Sequence, residues 1–319
     1  MDDTWVNALR RDPSLQFAEQ LRARLRAQEA PSGSHWSPLR RLVPLVIGAV
    51  AVAALFSLPS VRASAASFLA LFRVVNFVAI PVDPNRLDAL EARQLDLQRL
   101  IGDHVQVLQD PGPPLAVASI EQAATVAGFD VRVPRWLPDD TKIIEMSVRG
   151  EHELLVTADA TRLQQVMEAL GITDLRAPDG LDGQIVTVRV PPVVMVRYEH
   201  GGRRTRLFQA QSPDVTMPAG VDAASLGEIG LRILGLPREE ARRFAQMIDW
   251  NTTLLVPVPP TARSFKQVDI AGNPGVAIEH RPPNHSPTNL VLWSSEGRVF
   301  ALVSIQGMSQ ALAMANSVR

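Results

Sequence analysis

Apolar residues are arranged in three ways along this chain. There is one unbroken run near the start, a four-residue recurrence before it, and short alternations and helical stripes after it. The run is Leu42 to Val61, LVPLVIGAVAVAALFSLPSV. It contains no charged residue, and arginines flank it at Arg40, Arg41 and Arg62. At 1.5 Å per residue, about twenty apolar residues cross a hydrocarbon core of about 30 Å. The run therefore predicts a single transmembrane helix over 42–61. A buried helix of a globular core is the alternative, but such helices are usually shorter and rarely bracketed by arginine.

Before the run, Asp12-Pro13 opens a helix with an acidic N-cap and proline at the first position. Phe17, Leu21 and Leu25 then recur every four residues, while Arg22, Arg26 and Glu29 fall elsewhere on the wheel. Pro31-Ser32-Gly33-Ser34 ends the pattern. A lone amphipathic helix cannot bury its own apolar face. Phe17, Leu21 and Leu25 are thus candidate contacts for a cytoplasmic partner, with a helix lying on anionic lipid as the other reading.

After the run, Arg73 to Ile80 reads as a buried strand, and Leu87 to Leu100 as a charged helix closed by Gly102. Val105 to Leu108 is a short strand. Ser119 and Gln122 have the spacing of a capping box and open a helix that stops at Gly128. Asp130 to Val133 reads as a strand. Ile143 to Val148 and Glu153 to Thr157 read as a hairpin around Arg149-Gly150-Glu151. Asp159 caps a helix that closes at Gly171. Gln184 to Val190, Val193 to Tyr198 and Thr205 to Ala210 read as consecutive antiparallel strands, with Val186, Val188 and Val190 on the core face. Helices follow over Ala223 to Leu234 and Pro237 to Asp249, then a strand over Thr253 to Val258. Two hairpins come next, over Phe265 to Glu279 and Asn289 to Ile305, and a helix from Ser309 closes the chain. Short strands in hairpins mixed with helices predict an α+β class built on antiparallel sheet. The domains expected are a cytoplasmic tail (1–41), the transmembrane helix (42–61), and an extracytoplasmic α+β domain (62–319). The last divides into two lobes, 62–118 and 119–319, if the proline-rich loop at 111–118 separates them.

Charge sets the orientation. Seven arginines precede the run and few follow it closely, so the N-terminus is expected in the cytoplasm and the large domain outside. Ala63-Ser64-Ala65 resembles a cleavage site, but a tail of about forty residues and a long apolar run fit an uncleaved anchor better. The net charge of −1 gives no field for direct nucleic-acid binding. There is no cysteine, which excludes disulfides, thiolate zinc sites and thiol chemistry.

Candidate chemistry is sparse. No nucleophile elbow, H-E-x-x-H, phosphate loop or dinucleotide fingerprint occurs. His35, His104, His152, His200, His280 and His285 are scattered, and His280 and His285 flank Pro282-Pro283 as loop residues. Asp179-Gly180-Leu181-Asp182-Gly183 lacks the ligands of a calcium loop and reads as Asx turns. Arg203, Arg204 and Arg206 beside Gly201-Gly202 read as a solvated hairpin end, or as a contact for anionic headgroups. Asn251-Thr252-Thr253 and Asn284-His285-Ser286 match glycosylation sequons, which matter only in a eukaryotic secretory pathway. No cofactor, metal or catalytic residue is assigned, and the chain is read as a non-enzyme.

Several stretches resemble one known group. Ser119 to Pro138 (SIEQAATVAGFDVRVPRWLP), Asp249 to Pro259 (DWNTTLLVPVP) and the ending from Val291 through Ser317 are similar to a bacterial extracytoplasmic domain family of unassigned function. That domain often follows a short cytoplasmic segment and one crossing, in anti-sigma-factor-like proteins. The resemblance implies a membrane-tethered signalling regulator with an outer sensing domain, held in the cell membrane and facing a cytoplasmic partner such as a sigma factor. The chain departs from many of those proteins in lacking the histidine and cysteine zinc set of a longer cytoplasmic domain. The alternative is an extracytoplasmic lipid- or protein-binding module that the N-terminal helix merely anchors. A hydrolase with an unrecognised site is the third reading.

Overall fold

Prolines and glycines decide where the strands of this fold break. The computed structural model describes residues 74, 76–83, 85–86, 104–216, 221–258, 262–281 and 287–319. The predicted tail helix, with Phe17, Leu21 and Leu25, the predicted transmembrane helix over 42–61 and the predicted helix over 87–100 lie outside these residues. Among the described residues, no helix is long and apolar enough to cross a membrane.

The described chain is α+β, with mostly antiparallel sheets and five helices. An eight-stranded sheet runs in the order β11-β12-β13-β14-β8-β7-β4-β3. Its strands are β3 (Leu115–Ala116), β4 (Lys142–Arg149), β7 (Val193–His200), β8 (Arg203–Gln211), β11 (Ala262–Ile270), β12 (Asn273–His280), β13 (Thr288–Ser295) and β14 (Arg298–Ser304). A four-stranded sheet, β2-β5-β6-β9, comprises β2 (Val105–Gln109), β5 (His152–Thr157), β6 (Ile185–Val190) and β9 (Asp214–Thr216). β1 (Asn76–Pro81) and β10 (Thr253–Val258) form a parallel pair.

The two larger sheets are two halves of one set of strands. β2 leads into β3, β4 into β5, β6 into β7 and β8 into β9, and the order across the small sheet repeats the order across that part of the large one. Arg149 faces Val193 and His152 faces Val190, so the pairing register carries straight through Gly150-Glu151 and Pro191-Pro192. The breaks contain Pro111, Pro113 and Pro114 on the first line, Gly150 on the second, Pro191 and Pro192 on the third, and Pro213 on the fourth. Proline has no N–H to give the ladder, so pairing lapses along this line and the ribbon bends. Gly150 is required for close approach, because a Cβ there would lie 2.9 Å from the Pro111 carbonyl oxygen.

Four expectations are corrected. Ile143 to Thr157 is not a hairpin: its two halves enter different sheets, because Arg149-Gly150-Glu151 carries the chain onward instead of reversing it. Likewise β6 pairs with β5 and β9, not with β7. Asp130 to Val133 is not a strand either. The Gln209 side chain takes both backbone groups of Arg132, donating to its carbonyl at 2.7 Å and accepting from its N–H at 2.8 Å, where a ladder partner would have stood. The antiparallel expectation fails at β1, whose partner β10 is parallel.

Local signals account for the helices. In α1 (Ile120–Ala127), Ser119 Oγ accepts from the Gln122 N–H, the Gln122 side chain accepts from the Ala118 N–H, and Gly128 closes the helix at φ 76°. Asp159 caps α2 (Ala160–Ala169), and Asp222 caps α3 (Ala223–Leu234). α4 (Arg238–Met247) begins after Pro237 with Glu239 and Glu240 in its first turn, and α5 (Met308–Asn316) closes the chain. The helices α1 and α5 cover one face of the large sheet, packing Ala123, Ala127, Ala311 and Met314 on Val196, Leu207, Trp293 and Phe300. Trp293 and Phe300 stack across the β13–β14 pair at 5.0 Å. On the opposite face, Leu154, Val156, Val186 and Val188 of the small sheet share a core with Phe77, Val276 and Ile278. As expected, Val186 and Val188 are buried, while Val190 is half-buried.

Trp250, 6% exposed, donates its indole N–H to the Ala245 carbonyl at 2.8 Å and presses on α3 at Gly227. A Cβ on Gly227 would stand 2.1 Å from the Trp250 ring. Gly227→Ala is therefore expected to lower stability by about 1–3 kcal/mol from overpacking. Helix propensity alone would raise it by up to about 1 kcal/mol. The shift of the urea midpoint decides the sign.

Candidate functional site

The polar groups of the described chain do not converge on a reactive centre. His104 pairs with Asp159 at 3.4 Å beside the α2 cap. His152 sits at the start of β5, where burial and then the Arg149 charge push its pKa down. Burial does the same to His280. Asp182 accepts from the Ala160 N–H at 3.0 Å and so supports the start of α2, in keeping with a turn role for Asp179 to Gly183. No group of three or more metal-ligating side chains occurs among the described residues. His35 and His285 lie outside them.

Arg203 and Arg204 are exposed at the Gly201-Gly202 turn, with Arg204 3.7 Å from Glu199. Arg206 is half-buried and faces Arg197 across the β7–β8 pair. Burial, then Arg197, lowers its pKa. Arg197 itself is paired with Glu145. Nearby, a row of buried polar side chains crosses the sheet: Tyr198, Thr205, Ser304 and Asn289. Thr205 and Ser304 join hydroxyls at 2.9 Å, Ser304 Oγ accepts from the Gln306 N–H at 3.1 Å, and Asn289 donates to the Gln306 carbonyl. Burial pushes the Tyr198 hydroxyl up. These bonds tie Thr205, Ser304 and Asn289 to the Gln306 backbone and leave the Ser304 oxygen engaged with neutral partners, while Tyr198 Oη and Gln306 Oε1 are buried without a hydrogen-bond partner among the described residues.

The concave feature with a ligand-like lining is a groove of about 490 Å³ along β1. Val78, Ala79, Ile80, Pro81 and Val82 form one wall, Leu236, Pro237 and Phe244 another, and Phe265 of β11 closes a side. Among the described residues, its charged lining residues are Asp83 and Glu240. The sequence explains why β1 can carry it. After Asn76 the strand is apolar without alternation, and its middle packs on both faces, with Val78 and Ile80 toward α3 and α4 and Phe77 and Ala79 toward the sheets. The Asp83 N–H reaches the Leu234 carbonyl at 2.9 Å, and a Cβ on Gly235, at φ 111°, would lie 2.4 Å from Asp83 Cβ. Glycine therefore lets the α3–α4 turn meet the end of β1.

An ion cluster fixes that turn. Asp174 receives both Nη atoms of Arg232 from α3 at 3.1 Å each, and Arg238 Nε from α4 at 3.1 Å. Hydrogen bonding from Arg232, and its charge with that of Arg238, hold the Asp174 carboxyl below its ordinary range against the opposing pull of burial. The groove can thus bury apolar surface against preset walls, and its carboxylates, Glu240 and Asp83 (whose Oδ1 accepts from the Asn85 N–H and Nδ2), favour a cation. The sequence reading did not find it, because its walls come from segments more than 150 residues apart. One local signal was present: Phe265 stands alone in the polar stretch Arg263-Ser264-Phe265-Lys266-Gln267 and is 41% exposed.

No protein-family model, curated protein or solved structure matches the chain.

The Asp174 clamp has a pH signature. A carboxyl with a depressed folded pKa contributes stability above its unfolded value, near 3.8, and that contribution is lost as pH falls through the lower folded value. Asp174→Asn is expected to cost about 1–3 kcal/mol at neutral pH, because Arg232 keeps a buried charge with a weaker partner. It should also flatten the acid limb of the stability curve below about pH 4. Urea midpoints of both proteins between pH 2 and pH 7 check this.

Proposed function

We propose that the chain is a membrane-tethered signalling regulator of the anti-sigma-like kind. In this reading its extracytoplasmic α+β domain binds an apolar ligand in the β1 groove, and its Phe17–Leu21–Leu25 helix holds a cytoplasmic partner such as a sigma factor. The groove is the observation that carries the binding half: apolar walls with few polar groups suit ligand capture. The membrane anchor and the tail rest on the uncharged run over 42–61 and on the four-residue recurrence. A binding module that is merely anchored accounts for the same groove, and only the tail separates the two readings.

Two measurements test this. Burying a leucine is worth roughly 1.5–3 kcal/mol, so Leu21→Asp in the full chain is expected to weaken capture of the cytoplasmic partner at least tenfold while leaving the outer domain folded. Capture of nothing but lipid by the wild-type tail would leave the anchored binding module as the function. In the outer domain, an environment-sensitive alkyl dye is expected to bind saturably, and Phe265→Asp, at an exposed position, should weaken it about tenfold or more. A dye that does not bind, or binds both proteins alike, removes the groove as the site.

A further inference from the structure

We propose that the groove takes an extended peptide segment of a partner protein, added as a strand beside β1 with a basic side chain at the mouth. This rests on the groove being the binding site. The first argument is the parity of the β1–β10 pair. Asn76 N–H donates to the Thr252 carbonyl and Val82 N–H to the Val258 carbonyl, with Asn76 opposite Thr253. In a parallel ladder alternate residues bond to the same neighbour, so Asn76, Val78, Ile80 and Val82 turn their backbone groups to β10. Phe77, Ala79, Pro81 and Asp83 turn theirs to the opposite edge. Two observations agree with that parity: the Phe77 carbonyl accepts from Gln267 Nε2 at 2.9 Å, and the Asp83 N–H is the one that reaches Leu234.

Between those two bonded points, the outer edge offers the N–H and C=O of Ala79 and the C=O of Pro81. All three residues from Ala79 to Pro81 line the groove. An antiparallel peptide residue facing Ala79 exchanges both hydrogen bonds with it, and the residue two positions away donates to Pro81. An alkyl chain in the same place would strip water from these groups and return no hydrogen bond. The second argument is charge. Among the described residues the lining carries Asp83 and Glu240 and no cation, so it repels an anionic headgroup and attracts a lysine or arginine. Val78, Phe244 and Phe265 supply apolar contacts for the alternate side chains of such a segment.

The test uses the full chain in nanodiscs and a pool of hexapeptides with one fixed lysine and apolar residues at alternate positions. Enrichment from the pool is read by mass spectrometry. Selected peptides are expected to lose at least tenfold in affinity when their backbone is N-methylated at alternate residues, and at least tenfold against Glu240→Lys. Glu240 is exposed, so that variant folds, and the alkyl dye still bound by it reports an intact groove. Peptides that bind equally after N-methylation, or equally to Glu240→Lys, overturn the proposal, as does a pool without enrichment. If the dye binds and no peptide does, the groove stands as an apolar site and the peptide is wrong. If neither binds, both fall.

Discussion

A backbone nitrogen that cannot donate a hydrogen bond is the constraint on which this fold depends. Pro191 and Pro192 sit where the β6–β7 line would continue its ladder, and the other three lines break at Pro111 to Pro114, Gly150 and Pro213. The register on both sides is continuous, so the strands are aligned before and after the gap. Interruption without misalignment produces a bend. The bend lets Leu154, Val156, Val186 and Val188 face Val276 and Ile278 and close a second core on the far side of the large sheet from α1 and α5.

The same property of proline shapes the candidate site. Pro81 in β1 and Pro257 in β10 both occupy positions whose nitrogens point away from the β1–β10 ladder, so the parallel pair forms at no loss. On its outer edge, β1 is bonded at Phe77 and Asp83 and lined by the groove between them. The groove's second wall depends on Gly235, which has no side chain to hold β1 away, and on Asp174, which ties Arg232 and Arg238 across the turn. Apolar strand, glycine contact and charge clamp therefore act together: the first provides the surface, the second its distance from α4, and the third its rigidity.

Much of the fold was legible along the chain. The caps at Ser119 and Asp159, the stops at Gly128 and Gly235, and the turns at Ala271-Gly272 and Glu296-Gly297 are each local choices between a side chain or a positive φ and the nearest backbone groups. A sequence displays such choices directly. The α+β class followed from them. The tail residues Phe17, Leu21 and Leu25 and the run over 42–61 are likewise sequence patterns, and the proposed regulator rests on them.

Strand partners were not legible. Arg149-Gly150-Glu151 reads equally well as a tight turn or as a bent continuation, because glycine permits both and the deciding contacts belong to Pro111 and to the opposite strand. Asp130 to Val133 has a strand-like composition, yet Gln209, 77 residues away from Arg132, takes its hydrogen bonds. β1 and β10 meet across 177 residues, Asn76 facing Thr253, and nothing local marks one as the parallel partner of the other. The groove inherits that dependence, since β1, the α3–α4 turn and Phe265 become neighbours only once the sheets have packed. By itself the sequence determined where elements start, stop and turn, since those energies act within a few residues. The tertiary structure alone decided which strands pair and what they enclose, since those energies come from burial between distant segments.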